Sequence, residues 1–337
     1  MMESPAFVLV REPGQPVWGG HLLPQPLSSS NGPTPSVSFG IMSFSGEFTS
    51  FHIEKKVSAF DARALLQDME WNLPALGLAN SHTQEAYCSL VEKAVEACQQ
   101  GAMSKVVTSR REVVPIGKAD PLRWFEQLCD TYSEAMVYVL LRPHQTAWIG
   151  ASPEWLLQQD GQTIRTMSLA GTRPAGQKGL WGAKEKEEQD IVTQDIAYML
   201  RALGCEDLAV DGPVVKRAGP VEHLCTWIEG TVRSSISSFQ LAKSLHPTPA
   251  IGGLPRARAA AFLQAHEGYD RSLYAGFMGW SSASQARYFV NLRCMEIGVD
   301  AVAVYAGGGI TAQSKPHLEW EETEAKLQTL VGAIFAS

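Results

Sequence analysis

The segment Leu318-Glu-Trp-Glu-Glu-Thr-Glu-Ala-Lys326, near the C-terminus, has the pattern of a helix with an acidic first turn. Glu319, Glu322 and Lys326 are spaced at i, i+3 and i+7, so they share one helix face. The same line continues to apolar Leu330, which places charged groups where a buried stripe begins. The alternative interpretation is a solvated helix start, whose acids are favoured by the helix dipole.

A second helix repeats this arrangement. Its apolar periodicity extends from about Trp181 to Leu203 and includes Val192, and counting back by four from Val192 leads to Glu188. Carboxylates from two helices that face a shared cleft, without Cys or His beside them, suit a hard cation with oxygen ligands. Mg²⁺ fits best, because it keeps several waters and binds through one or two carboxylates plus substrate oxygens. The spacing alone also permits ordinary surface acids.

Composition limits the possible partners of the chain. Its 337 residues suffice for one large domain or two ordinary ones, and the net charge of -7 argues against nucleic acid or an anionic membrane as a general partner. Six scattered cysteines without a CxxC motif indicate reduced thiols in a cytoplasmic protein. We expect no signal peptide, and no apolar run approaches the ~18 residues of a membrane span.

The N-terminal third is predicted to be β structure followed by a helix. Strands are expected at 6–10, 37–44 and 48–53, with a loop over Gly20–Pro35 that is rich in Pro, Ser and Gly. A helix over 81–100 has Ser81 and Gln84 in the positions of a capping box.

The rest of the chain alternates strands and helices irregularly. Further helices are predicted at 121–132, 239–245 and 257–265, and Gly307-Gly-Gly309 is predicted to be a loop before the last helix. Gly171 and Pro174 are expected to end a dense β region. This alternation favours an α+β fold over a doubly wound parallel sheet. The predicted strands lie at 105–110, 136–141, 147–149, 155–158, 163–167, 207–233 (several short ones), 274–281, 288–297 and 302–305.

Familiar catalytic templates are missing from the sequence. It contains no G-x-S-x-G, P-loop or H-E-x-x-H motif, and the glycines at 307–309 lack dinucleotide-binding spacing. His246 is followed by Pro, and a lone histidine in such a loop is more often structural than a catalytic base.

Several motifs in a fixed order resemble those of the chorismate-binding enzymes, and within them the isochorismate synthases. The resemblance covers about residues 80–335, and its order along one chain makes it specific. The motifs are K-V-V-T-S-R at 105–110, A-S-P-E at 151–154, L-A-G-T-R-P at 169–174, K-E-K-E-E at 184–188, H-P-T-P-A-I-G-G at 246–253, Y-D-R at 269–271, Y-A-G-F-M-G-W at 274–280, L-R-C at 292–294, Y-A-G at 305–307 and E-W-x-E-T-x-x-K at 319–326.

This resemblance implies a fold and a substrate. The fold is one large α+β domain over 1–337, with two β-sheets packed face to face and helices outside. Residues 1–80 would form a shortened N-terminal β region, and 81–337 the catalytic core. The implied substrate is chorismate, with Mg²⁺ as cofactor.

Two positions separate the members of the family. Lys105 matches a lysine that activates water in isochorismate and salicylate synthases. Ala170 stands where aminodeoxychorismate synthases carry a nucleophilic lysine, so that chemistry is absent and no glutamine amidotransferase subunit is expected. The loop 247–253 looks more like that of an isochorismate synthase, and salicylate synthase, which also eliminates pyruvate, is the alternative. The family tendency implies a monomer, whose product would feed menaquinone or siderophore biosynthesis.

The resemblance also assigns catalytic and metal-binding roles. Lys105 would take a proton from the attacking water, and Glu154 would protonate the departing hydroxyl. Both roles require burial, which disfavours the charged form of each group. A strand-edge lysine and a turn carboxylate are the plain alternatives. The Mg²⁺ ligands would be Glu188 and Glu322, with Glu319 close by.

Substrate contacts follow from the same motifs. Arg293 and Lys326 would bind carboxylate oxygens with help from the Gly307 N–H, although a structural ion pair and a surface lysine are the alternatives for the two cations. Thr172, with Gly171 beside it, and His246 would contact the hydroxyl or carboxylate groups. Gln189 departs from the pattern, because a histidine usually follows the metal-binding glutamate there.

Overall fold

The computed structural model describes residues 6–24, 37–53, 57–58, 64, 72–76, 82–218, 221–233 and 236–335. Its helices are α1 (Gln84–Gln99), α2 (Pro121–Thr131), α3 (Ala183–Ala202), α4 (Ser238–Leu245), α5 (Arg256–His266) and α6 (Pro316–Phe335). Its strands are β1 (Ala6–Arg11), β2 (Trp18–Pro24), β3 (Ser38–Met42), β4 (Phe48–Ile53), β5 (Val57–Ser58), β6 (Lys105–Pro115), β7 (Met136–Leu141), β8 (Ala147–Ser152), β9 (Trp155–Asp160), β10 (Thr163–Pro174), β11 (Glu206–Ala218), β12 (Val221–Thr231), β13 (Gly253–Leu254), β14 (Phe277–Ser281), β15 (Gln285–Val290), β16 (Cys294–Ile297) and β17 (Ala301–Ile310).

These strands form one hydrogen-bonded network, and neighbouring strands run antiparallel. The longest ladders join β6 to β17 and join β12 to both β10 and β11. Helices cover the network from outside, so the α+β architecture expected from the sequence is confirmed. The predicted element types hold for most of the chain because strand and helix periodicities are distinct here.

Alternate residues of the central strands contribute to two different cores, because successive side chains in a strand point to opposite faces. Val8 and Tyr138 belong to a large cluster built mainly from strand residues. Phe7 and Val137, their chain neighbours, pack instead into a second cluster with side chains of α2 and α6. These central strands are therefore buried on both faces.

Helices α1 and α6 bury the faces that their sequences predict. On α1 the buried residues include Tyr87, Val91 and Cys98, and its N-cap is Thr83, whose hydroxyl accepts from the Ala86 N–H. Ser81, the predicted cap, lies outside the described residues. On α6 the buried residues are Glu319, Thr323, Leu327, Thr329, Leu330 and Ile334.

Two expectations at the ends of strands are wrong. Strand β2 occupies positions 18–24, so the first part of the predicted loop Gly20–Pro35 is β structure, and the remainder lies outside the described residues. Strand β10 does not end at Gly171, where a bulge shifts the register against β12, but it does end at Pro174 as predicted. Glycine at φ +63° supplies the left-handed backbone that the bulge needs.

Two further expectations fail around the last strands. The single strand predicted over 288–297 is divided into β15 and β16, because Asn291 uses its side chain to bind the Tyr138 hydroxyl and the Leu273 carbonyl. Arg293 then adopts φ +47° between the two strands. Gly307–Gly309 is not a loop but part of β17, where it pairs with β6. No helix in the described ranges is long and apolar enough to cross a lipid bilayer.

Candidate active site

A cavity of about 70 Å³ opens where β6, β10, β17, α3 and α6 meet. Most residues proposed from the sequence line it, although they are far apart along the chain. These are Glu154, Gly171, Thr172, Glu188, Arg293, Gly307, Glu322 and Lys326. The sequence resemblance therefore led to side chains that share one cavity.

Lys105 begins β6 and lies directly behind this wall. Its side chain is fully buried, as predicted, and its Nζ lies 2.8 Å from Glu188 Oε1. Glu188, on the first turns of α3, lines the cavity itself. The attraction of opposite charges at hydrogen-bond distance holds the buried Lys105 ammonium beside the Glu188 carboxylate at the cavity edge.

A second pair of charges comes from one face of α6. Lys326 Nζ donates to Glu322 Oε1 at 2.7 Å and to the Gly307 carbonyl at 2.8 Å. The Glu322 and Lys326 side chains are 25% and 14% exposed, so this face is not a solvated helix surface. Glu319 is more deeply buried, at 2% exposure, and lies outside the cavity wall.

The glycines of β17 create the space that these carboxylates occupy. A Cβ on Gly309 would overlap the Glu188 carboxylate and lie 2.8 Å from Lys105 Cε. A Cβ on Gly308 would lie 3.1 Å from Glu319 Oε2. Any side chain at these positions would displace the acids, which explains why the sequence carries glycine within a strand.

The carboxylate pair at the cavity fits Mg²⁺ as a cation completed by substrate and water. Glu188 and Glu322 both line the cavity, and both are balanced by ammonium groups in the structure. Within the described residues, no three His, Cys, Asp or Glu side chains form a self-contained metal site. Carboxylate oxygens are ligands that Mg²⁺ takes in proteins, so Glu188 and Glu322 are the residues that could hold one.

Glu154 follows β8 at a turn and is almost fully buried at the cavity. Burial raises its pKa to about 8, and the charges of Lys105, Lys216 and Lys326 oppose this rise without cancelling it. The turn is fixed by Ser152, whose hydroxyl donates to the Val290 carbonyl. The Glu154 carboxyl is therefore largely protonated at neutral pH, as the sequence argument required.

His223 on β12 also lines the cavity, and the sequence argument did not identify it. Its Nδ1 lies 3.0 Å from the Gly171 carbonyl, and its Nε2 lies 3.3 Å from Nη2 of Arg293. Burial and the Arg293 charge lower its pKa well below the usual range. The neutral ring thus donates from Nδ1 to Gly171 and accepts at Nε2 from Arg293, which orients the guanidinium.

Thr172 and Arg293 occupy the part of the wall around His223. The Thr172 hydroxyl lies 3.3 Å from His223 Nδ1. Arg293 projects from the left-handed residue between β15 and β16, a conformation that costs energy outside glycine and is found at functional sites. Both residues therefore lie at the cavity that the other predicted site residues line.

His246, like Lys105 and Glu319, does not line the cavity wall. Its ring packs edge-on against Phe277, at 5.4 Å between centroids, and against Phe44 at 6.3 Å. Burial lowers its pKa to about 4. Its position is that of a structural loop histidine, the alternative that the isolated residue had left open.

Two more residues near the site had no role assigned from the sequence. Tyr274 lines the cavity, and its hydroxyl lies 3.0 Å from the position of a Cβ on Gly307. Lys216 donates to the Pro153 carbonyl at 3.0 Å from outside the cavity. Tyr274 belongs to a motif quoted above, whereas Lys216 lies in a strand segment whose neighbours are exposed.

Gln189, which replaces the usual histidine, holds α3 against the sheet. Its Oε1 accepts from the Ala170 N–H at 3.0 Å, and its Nε2 donates to the hydroxyls of Ser168 and Thr226 at 2.8 and 2.9 Å. The amide therefore fixes the helix turn that carries Glu188.

We expect Gln189→Leu to lower the free energy of unfolding by about 2–4 kcal/mol, because buried polar partners would lose their hydrogen bonds. Urea unfolding measures this change, and Gln177→Leu at an exposed position is the matched control. Equal stability of the two variants would show that the buried amide does not anchor the helix.

Comparison with known proteins gives a consistent family. Residues 49–335 match the family model described as "Chorismate binding enzyme". The chain is 31% identical over 274 residues to a salicylate biosynthesis isochorismate synthase from Pseudomonas aeruginosa, covering 78% of this chain and 57% of that protein. It is 30% identical to isochorismate synthase MenF from Bacillus subtilis, covering 82% and 62%. The chain spans about half the length of several curated relatives that it matches.

A solved structure extends the similarity across the whole fold. The crystal structure of DhbC from Bacillus anthracis superimposes with a TM-score of 0.82 at 25% sequence identity, covering 98% of this chain and 96% of that one. The similarity in fold thus includes the N-terminal strands as well as the cavity.

Proposed function

The chain belongs to the chorismate binding enzymes, and from this premise we propose that it is an isochorismate synthase, an isomerase that converts chorismate to isochorismate. One observation carries the proposal. Glu154, at the turn after β8, is a buried carboxyl with a pKa of about 8 that lines the cavity, and Lys105, at the start of β6, is a buried lysine directly behind its wall. An acid and a base at one site suit the exchange of one ring hydroxyl for another.

Cationic groups at the cavity suit a substrate with two carboxylates. Arg293 offers a planar pair of donors for one carboxylate, and Lys326 supplies a second positive charge beside Gly307. The Thr172 hydroxyl and the Gly307 N–H are proposed to bind the remaining oxygens. These groups provide local positive charge in a chain whose net charge is -7.

The proposed reaction begins when Lys105 takes a proton from a water molecule that attacks a ring carbon. The new C–O bond pushes an electron pair through the ring double bonds. The bond to the existing hydroxyl breaks as Glu154 donates its proton, and that hydroxyl leaves as water. One water enters and one leaves, so the change is an isomerisation. Before the amine can act as a base, the Lys105 ammonium must lose a proton and leave its salt bridge with Glu188.

Mg²⁺ is proposed as the cofactor, held by Glu188 and Glu322 with Glu319 beside them. When bound, it would neutralise a substrate carboxylate and fix its orientation. Glu188 would then have two possible partners, the cation and Lys105. Mg²⁺ binding to Glu188 would therefore affect the Lys105–Glu188 salt bridge, and with it the protonation of the proposed base.

We expect chelation of divalent cations to abolish conversion of chorismate and added Mg²⁺ to restore it. Calorimetric titration with MgCl₂ in the presence of chorismate should show binding that Glu322→Gln weakens strongly, because a carboxylate ligand is lost. Glu321→Gln, an exposed neighbour on α6, is the control. Unchanged Mg²⁺ binding by the Glu322 variant would contradict the assignment of this ligand.

Salicylate synthase is the second candidate, because salicylate biosynthesis appears in the name of one relative. Incubation with chorismate and Mg²⁺, followed by separation of the products, distinguishes the two activities. Isochorismate as the sole product supports the proposal. Salicylate with pyruvate would replace it by the second candidate, and unchanged chorismate would exclude both.

The proposal also covers partners and location. The Ala170 segment lacks the lysine of aminodeoxychorismate synthases, so we propose that the protein acts without a glutamine amidotransferase subunit. We also propose that it is a monomer and that it acts in the cytoplasm. Size-exclusion chromatography with light scattering tests the oligomeric state.

A further inference from the structure

Lys216 approaches the Glu154 turn from behind the cavity. Its Nζ donates to the Pro153 carbonyl at 3.0 Å and lies 3.9 Å from the Met167 sulfur and 5.7 Å from the Trp227 ring centroid. The Pro153 carbonyl belongs to the peptide unit that leads directly into Glu154. A donor on this oxygen therefore restrains the peptide plane from which the Glu154 side chain projects.

The position of Lys216 follows from the β11–β12 hairpin. Lys216 is directly opposite His223 in this ladder, and directly opposed residues project from the same face of a sheet. His223 lines the cavity, whereas Lys216 lies outside its wall. Most of β11 is exposed, yet this side chain is half-buried and directed inward.

Lys216 differs from the other lysines around Glu154 in its partners. Lys105 lies against Glu188, and Lys326 lies against Glu322, so each of these charges is balanced by a nearby carboxylate. Lys216 donates instead to a neutral carbonyl oxygen. Its charge also acts on Glu154, and the groups that act in turn on Lys216 are the Cys225 thiol, Glu154 and Glu134.

We propose that Lys216 is a positioning residue that orients the Pro153–Glu154 turn and places a positive charge near the Glu154 carboxyl. This inference rests on the proposed function only for the role of Glu154 as an acid. The groups facing Glu154 are Lys105 on β6, Lys326 on α6, Lys216 on β11 and the Cys225 thiol on β12. His223 and Arg293 line the same cavity.

The charge of Lys216 determines the direction in which its removal shifts the Glu154 pKa. A positive charge favours the carboxylate form, so it holds the Glu154 pKa below the value that burial alone would produce. Removing the charge in Lys216→Met should raise the Glu154 pKa by about one unit, the size of an interaction of roughly 1–2 kcal/mol. The carboxyl would then remain protonated to higher pH.

Infrared difference spectroscopy tests this without turnover. The C=O band of protonated Glu154, identified by its loss in Glu154→Gln, is titrated with pH in the wild type, Lys216→Met and Lys216→Arg. We expect the midpoint to move to higher pH in the Met variant and to return in the Arg variant. Arg217→Met is the control, because its exposed neighbouring side chain lies on the opposite strand face beside Glu222.

The same shift should appear in the upper limb of the pH profile of kcat/KM, which reports the acid of the uncomplexed enzyme. An unchanged infrared midpoint in Lys216→Met, or an equal shift in the Arg217→Met control, would overturn the proposed role of Lys216. A shifted midpoint in a protein that leaves chorismate unchanged would support this role and reject the proposed function. The two ideas can therefore fail separately.

Discussion

Replacing Lys105 with alanine is expected to lower the turnover of chorismate by about 10²- to 10⁴-fold, the contribution typical of a general acid or base. Its amine is the only proposed proton acceptor for the attacking water. Arg293 and Lys326, the proposed carboxylate-binding groups, do not depend on it directly. Binding of chorismate with Mg²⁺, measured by calorimetry, should therefore change little while kcat falls.

Removal of a buried ion-pair partner can also destabilise the fold, so the experiment needs controls. Lys105→Gln keeps a hydrogen-bond donor near Glu188 but cannot accept the proton, and it should lose turnover to a similar extent. Lys118→Ala, on an exposed segment after the same strand, should retain activity. Loss of chorismate binding in proportion to turnover would show that Lys105 binds substrate rather than acting as a base.

Glu154→Gln is expected to reduce kcat by about 10²- to 10⁴-fold for the complementary reason, because an amide cannot donate the proton that the departing hydroxyl needs. At pH values below the Glu154 pKa of about 8, the side chain is mainly neutral, so the substitution removes no charge. The variant should fold normally and bind chorismate.

The pH dependence of the wild type identifies this group independently. Activity requires protonated Glu154, so kcat/KM should fall as the pH rises through about 8. The fall should be absent from the residual activity of Glu154→Gln. A profile with the same upper limb in both proteins would assign that limb to another group and contradict the role of Glu154.

Helices and strands with long periodic patterns could be predicted from the sequence. The α1 stripe with Tyr87 and Val91, and the inward line of α6, depend on local side-chain spacing and are confirmed. The divided strand around Arg293 and the extended Gly307–Gly309 segment depend on contacts with distant residues, such as Asn291 with Tyr138. Composition alone favoured a loop for the three glycines, whereas tertiary packing requires them within a strand.

The candidate site likewise contains residues that the sequence indicated and residues that only the tertiary structure brings to it. Charges on a helix face, such as Glu322 and Lys326, were visible as an interruption of an apolar line. His223 and Lys216 carry no comparable signal, because their importance comes from a hairpin register that places them opposite each other. His246 shows the opposite case, a residue within a distinctive loop whose ring packs against Phe277 instead of lining the cavity.

The origin of the new hydroxyl tests the central proposal most directly. The protein is incubated with unlabelled chorismate and Mg²⁺ in H₂¹⁸O, and isochorismate is analysed by mass spectrometry. Attack by water predicts one ¹⁸O atom in each isochorismate formed in the forward direction, with a rate of incorporation that collapses in Lys105→Ala and Glu154→Gln. Isochorismate without ¹⁸O, or no isochorismate at all, would contradict the proposed function and mechanism.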